Sequence, residues 1–263
     1  WIVETVKDLG GISKTTQVTY NSDGNPTEVL QLNSTTGNQS TKFLYGATLA
    51  ESQIASKQLR RSTIYPDSLD VDISGTDQIK LKRNRQGQVT EYIDQAGTVH
   101  VLDYDKRGRL IHDRATVLGP NINGAVRRIS RTYEARGLPD RITSTNNSTV
   151  GSGTVVNELQ FEYNDFGNIT SEWQEQTGAV NPVTSPRLQY TYANGSANHV
   201  RQISMTYPSP GGRVITFDYG TSAGLNDLLS RVALVQDGST SLVEYSYLGI
   251  DVFVRASYSM QPG

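Results

Sequence analysis

An aromatic residue followed four positions later by glycine, often with Asp or Asn directly after the aromatic, recurs along this 263-residue chain. It reads Tyr20-Asn21-Ser22-Asp23-Gly24, Tyr104-Asp105-Lys106-Arg107-Gly108, Tyr133-Glu134-Ala135-Arg136-Gly137 and Tyr163-Asn164-Asp165-Phe166-Gly167. Tyr104, Tyr133, Tyr163 and Tyr192 stand 29, 30 and 29 residues apart. A fixed period of that size marks an architecture of stacked supersecondary units, so function is to be sought in an array.

The unit is a β-hairpin. Leu159, Phe161 and Tyr163 alternate with Gln160 and Glu162, and after Gly167 the apolar Ile169 and Trp173 alternate with Thr170 and Glu172. A period of two puts one set of side chains on one sheet face. The rule of apolar residues alternating up to a tyrosine returns at Leu188/Tyr190/Tyr192, Ile203/Met205/Tyr207, Ile215/Phe217/Tyr219 and Val243/Tyr245/Tyr247. Rings at strand ends are expected to stack from hairpin to hairpin as a tyrosine ladder, each cross-strand aromatic pair contributing roughly 0.2–1 kcal/mol. The Asp or Asn bonds its own backbone to start the turn, and glycine supplies the positive φ that a side chain resists. Gln86-Gly87, Gln95-Ala96-Gly97, Asn123-Gly124, Asn194-Gly195 and Asp237-Gly238 read as further turns.

Ala47 to Arg61 is the best helical window, although Leu49, Ile54 and Leu59 form no regular stripe, and one short helix is expected there. Residues 33–40, 144–153, 177–186 and 208–212 read as polar loops between repeats. Pro and Gly disturb the rhythm at 64–77 and 117–123, so the segment 1–263 is read as one repeat region with a subdivision near residue 75.

Charge is nearly balanced, 24 Lys plus Arg against 26 Asp plus Glu, which gives no field favouring nucleic acid or an anionic membrane. No cysteine is present, which removes thiolate chemistry and Cys-based zinc sites. No apolar run reaches the ~20 residues of a membrane span, so no membrane insertion is expected within the segment. The chain opens on Trp1-Ile2-Val3-Glu4, neither Met nor a basic leader, and is read as a piece of a longer protein.

Candidate chemistry meets a structural explanation at each point. Asp103/Asp105 and Glu162/Asp165 are close acid sets of the kind glycosidases need, yet Asp105 and Asp165 fill the turn slots of the repeat. His100, His112 and His199 form no zinc motif; His100 and His112 flank one hairpin and could meet across it, but solvated imidazoles are the expectation and no metal is called. Gly151-Ser152-Gly153 lacks the strand-to-helix elbow of a nucleophile, and no glycine set forms a phosphate cradle. Basic clusters at 80–85, 106–109 and 127–131 have carboxylates within reach for cross-strand pairing. Sequons at Asn33, Asn38, Asn146, Asn147, Asn168 and Asn194 follow from the abundance of Asn, Ser and Thr. No catalytic residue, cofactor or metal is therefore expected, and no enzyme activity.

The motif resembles the YD repeats of the Rhs and teneurin-type proteins, most fully at Tyr104-Asp105-Lys106-Arg107-Gly108-Arg109-Leu110 and Tyr163-Asn164-Asp165-Phe166-Gly167-Asn168-Ile169. Tyr20, Asn21 and Gly24, and Tyr133 and Gly137, match in part, while Tyr192 and Tyr219 carry the strand-end tyrosine. The resemblance covers roughly residues 17 to 250. It implies an all-β array of antiparallel hairpins forming one long curved, spiralling sheet, part of a hollow cocoon. Such a shell encloses or presents a polypeptide cargo, for example a C-terminal toxin, beside the remaining repeats of the parent chain, in a secreted or cell-surface setting. The self-cleaving region of such shells is rich in Asp-Pro motifs, and no Asp-Pro dipeptide occurs here, so neither protease nor toxin is assigned. The alternative is an adhesin or carbohydrate-binding scaffold in which loops 33–40, 144–153 and 177–186 and exposed tyrosines bind glycans. A glycosidase using paired acids is a distant third.

Overall fold

The computed structural model describes residues 1–9, 12–208, 211–250 and 252–258. Ser209 and Pro210, within the expected loop 208–212, lie outside the described residues. The chain divides into two compact units, Trp1–Ser130 with Ser144–Thr154, and Arg131–Thr143 with Val155–Gly263.

In the first unit the strands are β1 (Ile2–Leu9), β2 (Ile12–Tyr20), β3 (Pro26–Leu32), β4 (Gln39–Ala47), β5 (Ser56–Ile64), β6 (Ile79–Arg83), β7 (Val89–Ile93), β8 (Val99–Tyr104) and β9 (Leu110–Val117). Each pairs antiparallel with the next, and β9 pairs with the first residues of β10 (Arg128–Tyr133). Strand β11 (Pro139–Thr145) belongs partly to each unit. The second unit continues with β12 (Val155–Tyr163), β13 (Ile169–Glu175), β14 (Arg187–Asn194), β15 (Val200–Thr206), β16 (Val214–Asp218), a single helical turn α1 (Leu225–Leu228), β17 (Leu234–Asp237), β18 (Thr240–Leu248) and β19 (Val252–Tyr258). Here too every ladder from β12 to β19 joins chain neighbours in antiparallel register.

The alternation of apolar and polar residues is what commits these segments to strands. The register slips by one residue immediately before the motif aromatic, at Thr19/Tyr20, Asp103/Tyr104, Glu162/Tyr163 and Thr191/Tyr192, and likewise at Lys82/Arg83. A bulge there adds local twist and admits the five-residue turn that follows.

Most strand residues are half-buried, and the fully buried apolar side chains are few: Ile64, Ala47 and Ala115 in the first unit, and Trp173, Val180, Ile215 and Tyr219 in the second. Both sheet faces therefore keep contact with water over much of their area. Among the described residues no helix is long and apolar enough to cross a membrane.

Three expectations are corrected. The sheet is neither closed nor strongly curled, against the expected barrel or cocoon: the ladder described for β1 is with β2 and that for β19 is with β18. The curved, spiralling, hollow part of the expected fold is thereby overturned, and the antiparallel hairpin array stands. The window 47–61 holds no helix; it is the end of β4, a turn at 48–53 and the start of β5, because the weak apolar spacing gives a helix no stripe to bury. The segment 117–127 contains no Asn123-Gly124 hairpin turn; the positive φ falls on Asn121 (61°), within a loop between β9 and β10. The stretch around residue 75 is a loop inside the first unit.

Candidate functional site

The repeated motif builds one turn seven times. In residues 21–25, 84–88, 94–98, 105–109, 134–138, 164–168 and 195–199 the first N–H donates to the fifth carbonyl and the fourth N–H to the first carbonyl, at 2.9–3.2 Å. The fourth residue has φ between 80° and 99° in the six turns where it is glycine, and 58° where it is Asn198. Asn194-Gly195 marks that last turn, but there Gly195 opens it while Asn198 takes the positive φ, and a Cβ on Gly195 would press on the Arg201 guanidinium at 2.6 Å.

The first turn residue explains the Asp/Asn preference. Asn21, Asn84, Asp105 and Asn164 each accept, on one side-chain oxygen, the N–H groups two and four residues on, at 2.9–3.0 Å. The other carboxylate oxygen of Asp105 takes the Arg109 Nε–H at 2.8 Å, so both oxygens are engaged. The backbone N–H of Arg109, foremost, holds the Asp105 carboxyl below its usual range despite partial desolvation.

The tyrosine has a more specific role than a stacked ring. Tyr104, Tyr163 and Tyr192 donate their hydroxyls at 2.8 Å to the carbonyls of Val89, Pro139 and Ile169. Each acceptor lies two residues after the turn glycine of the preceding hairpin, Gly87, Gly137 or Gly167. Tyr219 and Tyr247 make the same kind of bond, also 2.8 Å, to Gln202 and Val232. The recurrent contact is thus a phenol stitched to a neighbouring backbone. Burial raises the hydroxyl pKa of Tyr104, Tyr163, Tyr192 and Tyr219. Arg201 lies over the Tyr219 ring at 4.0 Å and Arg231 over Tyr247 at 4.5 Å.

The remaining candidates are dispersed. His100 and His112 point to opposite faces of the β8/β9 pair: His100 stacks on Tyr92 (centroids 4.4 Å apart) and bonds Asp113 at 2.7 Å, while His112 sits opposite Asp103 and bonds Ser130 Oγ at 3.0 Å. They do not meet. Burial lowers the His112 pKa and pushes the Tyr92 hydroxyl up to about 12. His199 is exposed at its turn. Among the described residues no group of three His, Asp or Glu is placed to hold a metal. Of the acid sets, Asp103 and Asp105 are each paired with an arginine, Arg114 and Arg109, and Glu162 and Asp165 are exposed, Asp165 at a turn tip.

Within the noted clusters Lys82 pairs with Glu91 (2.6 Å) and Arg109 with Asp105 (2.7 Å), and outside them Arg114 pairs with Asp103 (2.6 Å). Arg128 instead donates to the carbonyls of Asn147, Thr149 and Ser152, clasping the 144–153 loop.

The polar groups that sequence reasoning missed are buried ones. Gln78, fully buried before β6, takes the Ser62 hydroxyl on Oε1 and donates Nε2 to Asp70 Oδ2 (3.0 Å) and to the Asp72 and Gly75 carbonyls (2.7 and 3.1 Å). In the second unit Asp227 of α1 is gripped by Arg201 and accepts the Ala223 N–H at 2.8 Å; hydrogen bonding from Ser196, then Arg201, lowers its pKa to about 2. Glu158 lies opposite Glu175 in the β12/β13 register, and Trp173 is buried beside them beneath loop 176–186. Only the disturbed rhythm at 64–77 hinted at the first of these; the others left no local pattern.

No protein-family model and no curated protein matches the sequence. Among solved structures, a TcdB2-TccC3-TEV crystal structure is 13% identical, with 98% of this chain and 16% of that chain covered and a TM-score of 0.36. A Photorhabdus luminescens Tc holotoxin pore gives the same identity, coverage and score. A porin-like protein from Bacteroides uniformis is 12% identical over 98% of this chain and 95% of that chain, with a TM-score of 0.25. This chain thus spans about a sixth of the Tc chains it matches, and at such scores the likeness establishes neither a shared fold nor a function.

Proposed function

We propose that this chain is a structural segment of an Rhs/YD-repeat protein: a wall of hairpins that encloses or presents a polypeptide, such as a toxin, in a secreted or cell-surface setting, with no catalysis of its own. The observation that carries the reading is the repeated turn whose strand-end tyrosine is bonded to the preceding hairpin, since it spends the recurring Tyr, Asp/Asn and Gly on joining one hairpin to the next. The engaged carboxylate of Asp105 supports a non-catalytic role in the same way.

The glycan-binding alternative draws on loops, and two of its three loops are tied down, 144–153 by Arg128 and 177–186 over Trp173, while residues 33–39 are exposed. The test places a photo-crosslinking residue at Glu91 or Glu162 on the strands and at Phe166 on a turn tip, in the protein with its natural flanking sequence. Polypeptide adducts at the strand positions are expected. Glycan adducts at the turn and none on the strands would replace this reading with the adhesin.

A further inference from the structure

Loop 176–186 differs from the other connections in how it is fixed. It runs back over the face of β12 and β13 that carries Glu158, Gln160, Trp173 and Glu175, yet of its own residues only Val180 and Ser185 are buried, and Val183 at its tip is 90% exposed. Its attachment is polar. Glu158 Oε2 accepts the Val180 N–H (2.9 Å), Glu175 Oε2 accepts the Ser185 hydroxyl (2.6 Å), and Glu175 Oε1 accepts the Thr177 N–H (3.2 Å). The Gly178 N–H reaches the Val156 carbonyl at 2.9 Å, and the Trp173 indole N–H reaches the Pro182 carbonyl at 3.3 Å. Beneath it the Gln160 side-chain oxygen is buried without a donor, a group that gains hydration when the cover lifts.

We propose that residues 176–186 form a strap, latched to the sheet by the carboxylates of Glu158 and Glu175, that opens as a unit and uncovers Trp173 while the hairpins beneath it stay formed. The division of labour supports this. The ladder β12/β13 and the Tyr163 and Tyr192 stitches do not involve the strap, whereas four of the strap's bonds to the sheet, counting the Thr177 hydroxyl on Glu175, end on two carboxylates. A segment held by few apolar contacts and by polar bonds at the surface belongs to the low end of local stability.

Acid is the direct probe of such a latch. The charged groups facing it are Arg141 of β11, 2.9 Å from Glu158; the two glutamates themselves, opposite one another; Glu162 further along β12; and Arg187 of β14, over the Trp173 ring at 5.4 Å. The Ser185 hydroxyl and then the Thr177 N–H hold Glu175 below the usual carboxylate range. The latch is therefore complete above that range and lost as pH falls through the lowered value.

The chain has two tryptophans, so in a Trp1→Phe background Trp173 is the sole reporter. Acrylamide quenching and emission maximum are read from pH 7 downward beside the far-UV circular dichroism of the sheet. A reversible rise in quenching with a red shift, at unchanged sheet signal, is expected at acid pH. Glu175→Gln, which removes the titrating group, should raise quenching already at pH 7 and flatten its dependence on pH, and the milder Ser185→Ala should bring the rise nearer to neutral pH. Exposure of Trp173 only together with loss of the sheet signal, or quenching in both variants equal to the parent at every pH, would overturn the strap.

Discussion

Replacing Gln78 with Leu keeps roughly the same volume and removes the polar contacts that its side-chain amide makes to Ser62 and to the 65–78 loop. The fully buried amide holds the Ser62 hydroxyl, the Asp70 carboxylate and the carbonyls of Asp72 and Gly75. An amide has two N–H groups, so at most two of the three acceptors receive a full bond, which leaves three bonds to count with the one on Oε1. At about 1 kcal/mol net for each, and more for stranding a partner without water, the loss is about 3–4 kcal/mol. Asp70 Oδ2 keeps the Asp77 N–H at 2.9 Å, which sets the lower figure. Gln78→Glu sharpens the reasoning, because it turns a donor into a second anion facing Asp70 and two carbonyls. Burial and the Asp70 charge raise the new carboxyl's folded pKa above its unfolded one, so this variant is penalised progressively as pH rises from the unfolded value to the raised one. Urea denaturation followed by circular dichroism at pH 7 and pH 5 measures both. A cost for Gln78→Leu below about 1 kcal/mol, or a Gln78→Glu penalty independent of pH, would refute the claim that this amide closes the loop.

Tyr163→Phe and Tyr192→Phe each delete one hydroxyl-to-carbonyl bond and should cost about 1 kcal/mol, read as a shift in urea midpoint without change of slope. Gly108→Ala forces a side chain onto φ +80° and brings Cβ within 3.2 Å of Gln88 Nε2; destabilisation of about 1 kcal/mol or more is expected, against near neutrality for Asn198→Gly, whose φ of 58° already suits glycine. His112, its pKa lowered by burial, binds its proton more weakly when folded than when unfolded, so its contribution is intact above the unfolded value and stability falls as pH drops through that value toward the folded one. Titration of its ring protons by NMR should give a midpoint below 6.5. Tyr247→Phe should speed amide exchange in β17 and β18 while leaving β12 and β13 unchanged, since the bond it removes ends on Val232.

The part of the fold legible in the sequence is the part with local causes. Alternation gave the strands, and Asp/Asn with a glycine three places on gave the turns at 105–109 and 164–168, because both rest on backbone geometry within a few residues. The turn at 195–199 was marked by Gly195, which opens it, but not its geometry, because Asn198 and not a glycine takes the positive φ. The tyrosine was visible as a repeat, but its partner was not: the Val89, Pro139 and Ile169 carbonyls lie 15, 24 and 23 residues away, and a carbonyl has no residue signature. Closure of the sheet was an expectation drawn from resemblance alone, and the ladders do not contain it. Buried Gln78, Glu158 and Asp227 look in sequence like any surface polar residue, and what distinguishes them is the loop that covers each.

These contacts share a consequence for how stability is distributed. With few fully buried apolar side chains, neither unit concentrates its stability in one core. Seven of the connections are closed by their own pair of turn bonds, and at Tyr104, Tyr163 and Tyr192 a phenol fastens a hairpin to the one before it. Such an array behaves as a chain of nearest-neighbour couplings, in which a lost contact weakens two adjacent hairpins and leaves distant ones intact. It also explains why loops between hairpins can differ in length and polarity without disturbing the pattern: the stitch runs from strand end to strand start and bypasses the loop. The contacts that hold those loops, from Arg128 of β10 or from Glu158 and Glu175 of β12 and β13, are therefore free to vary while the hairpins keep their spacing.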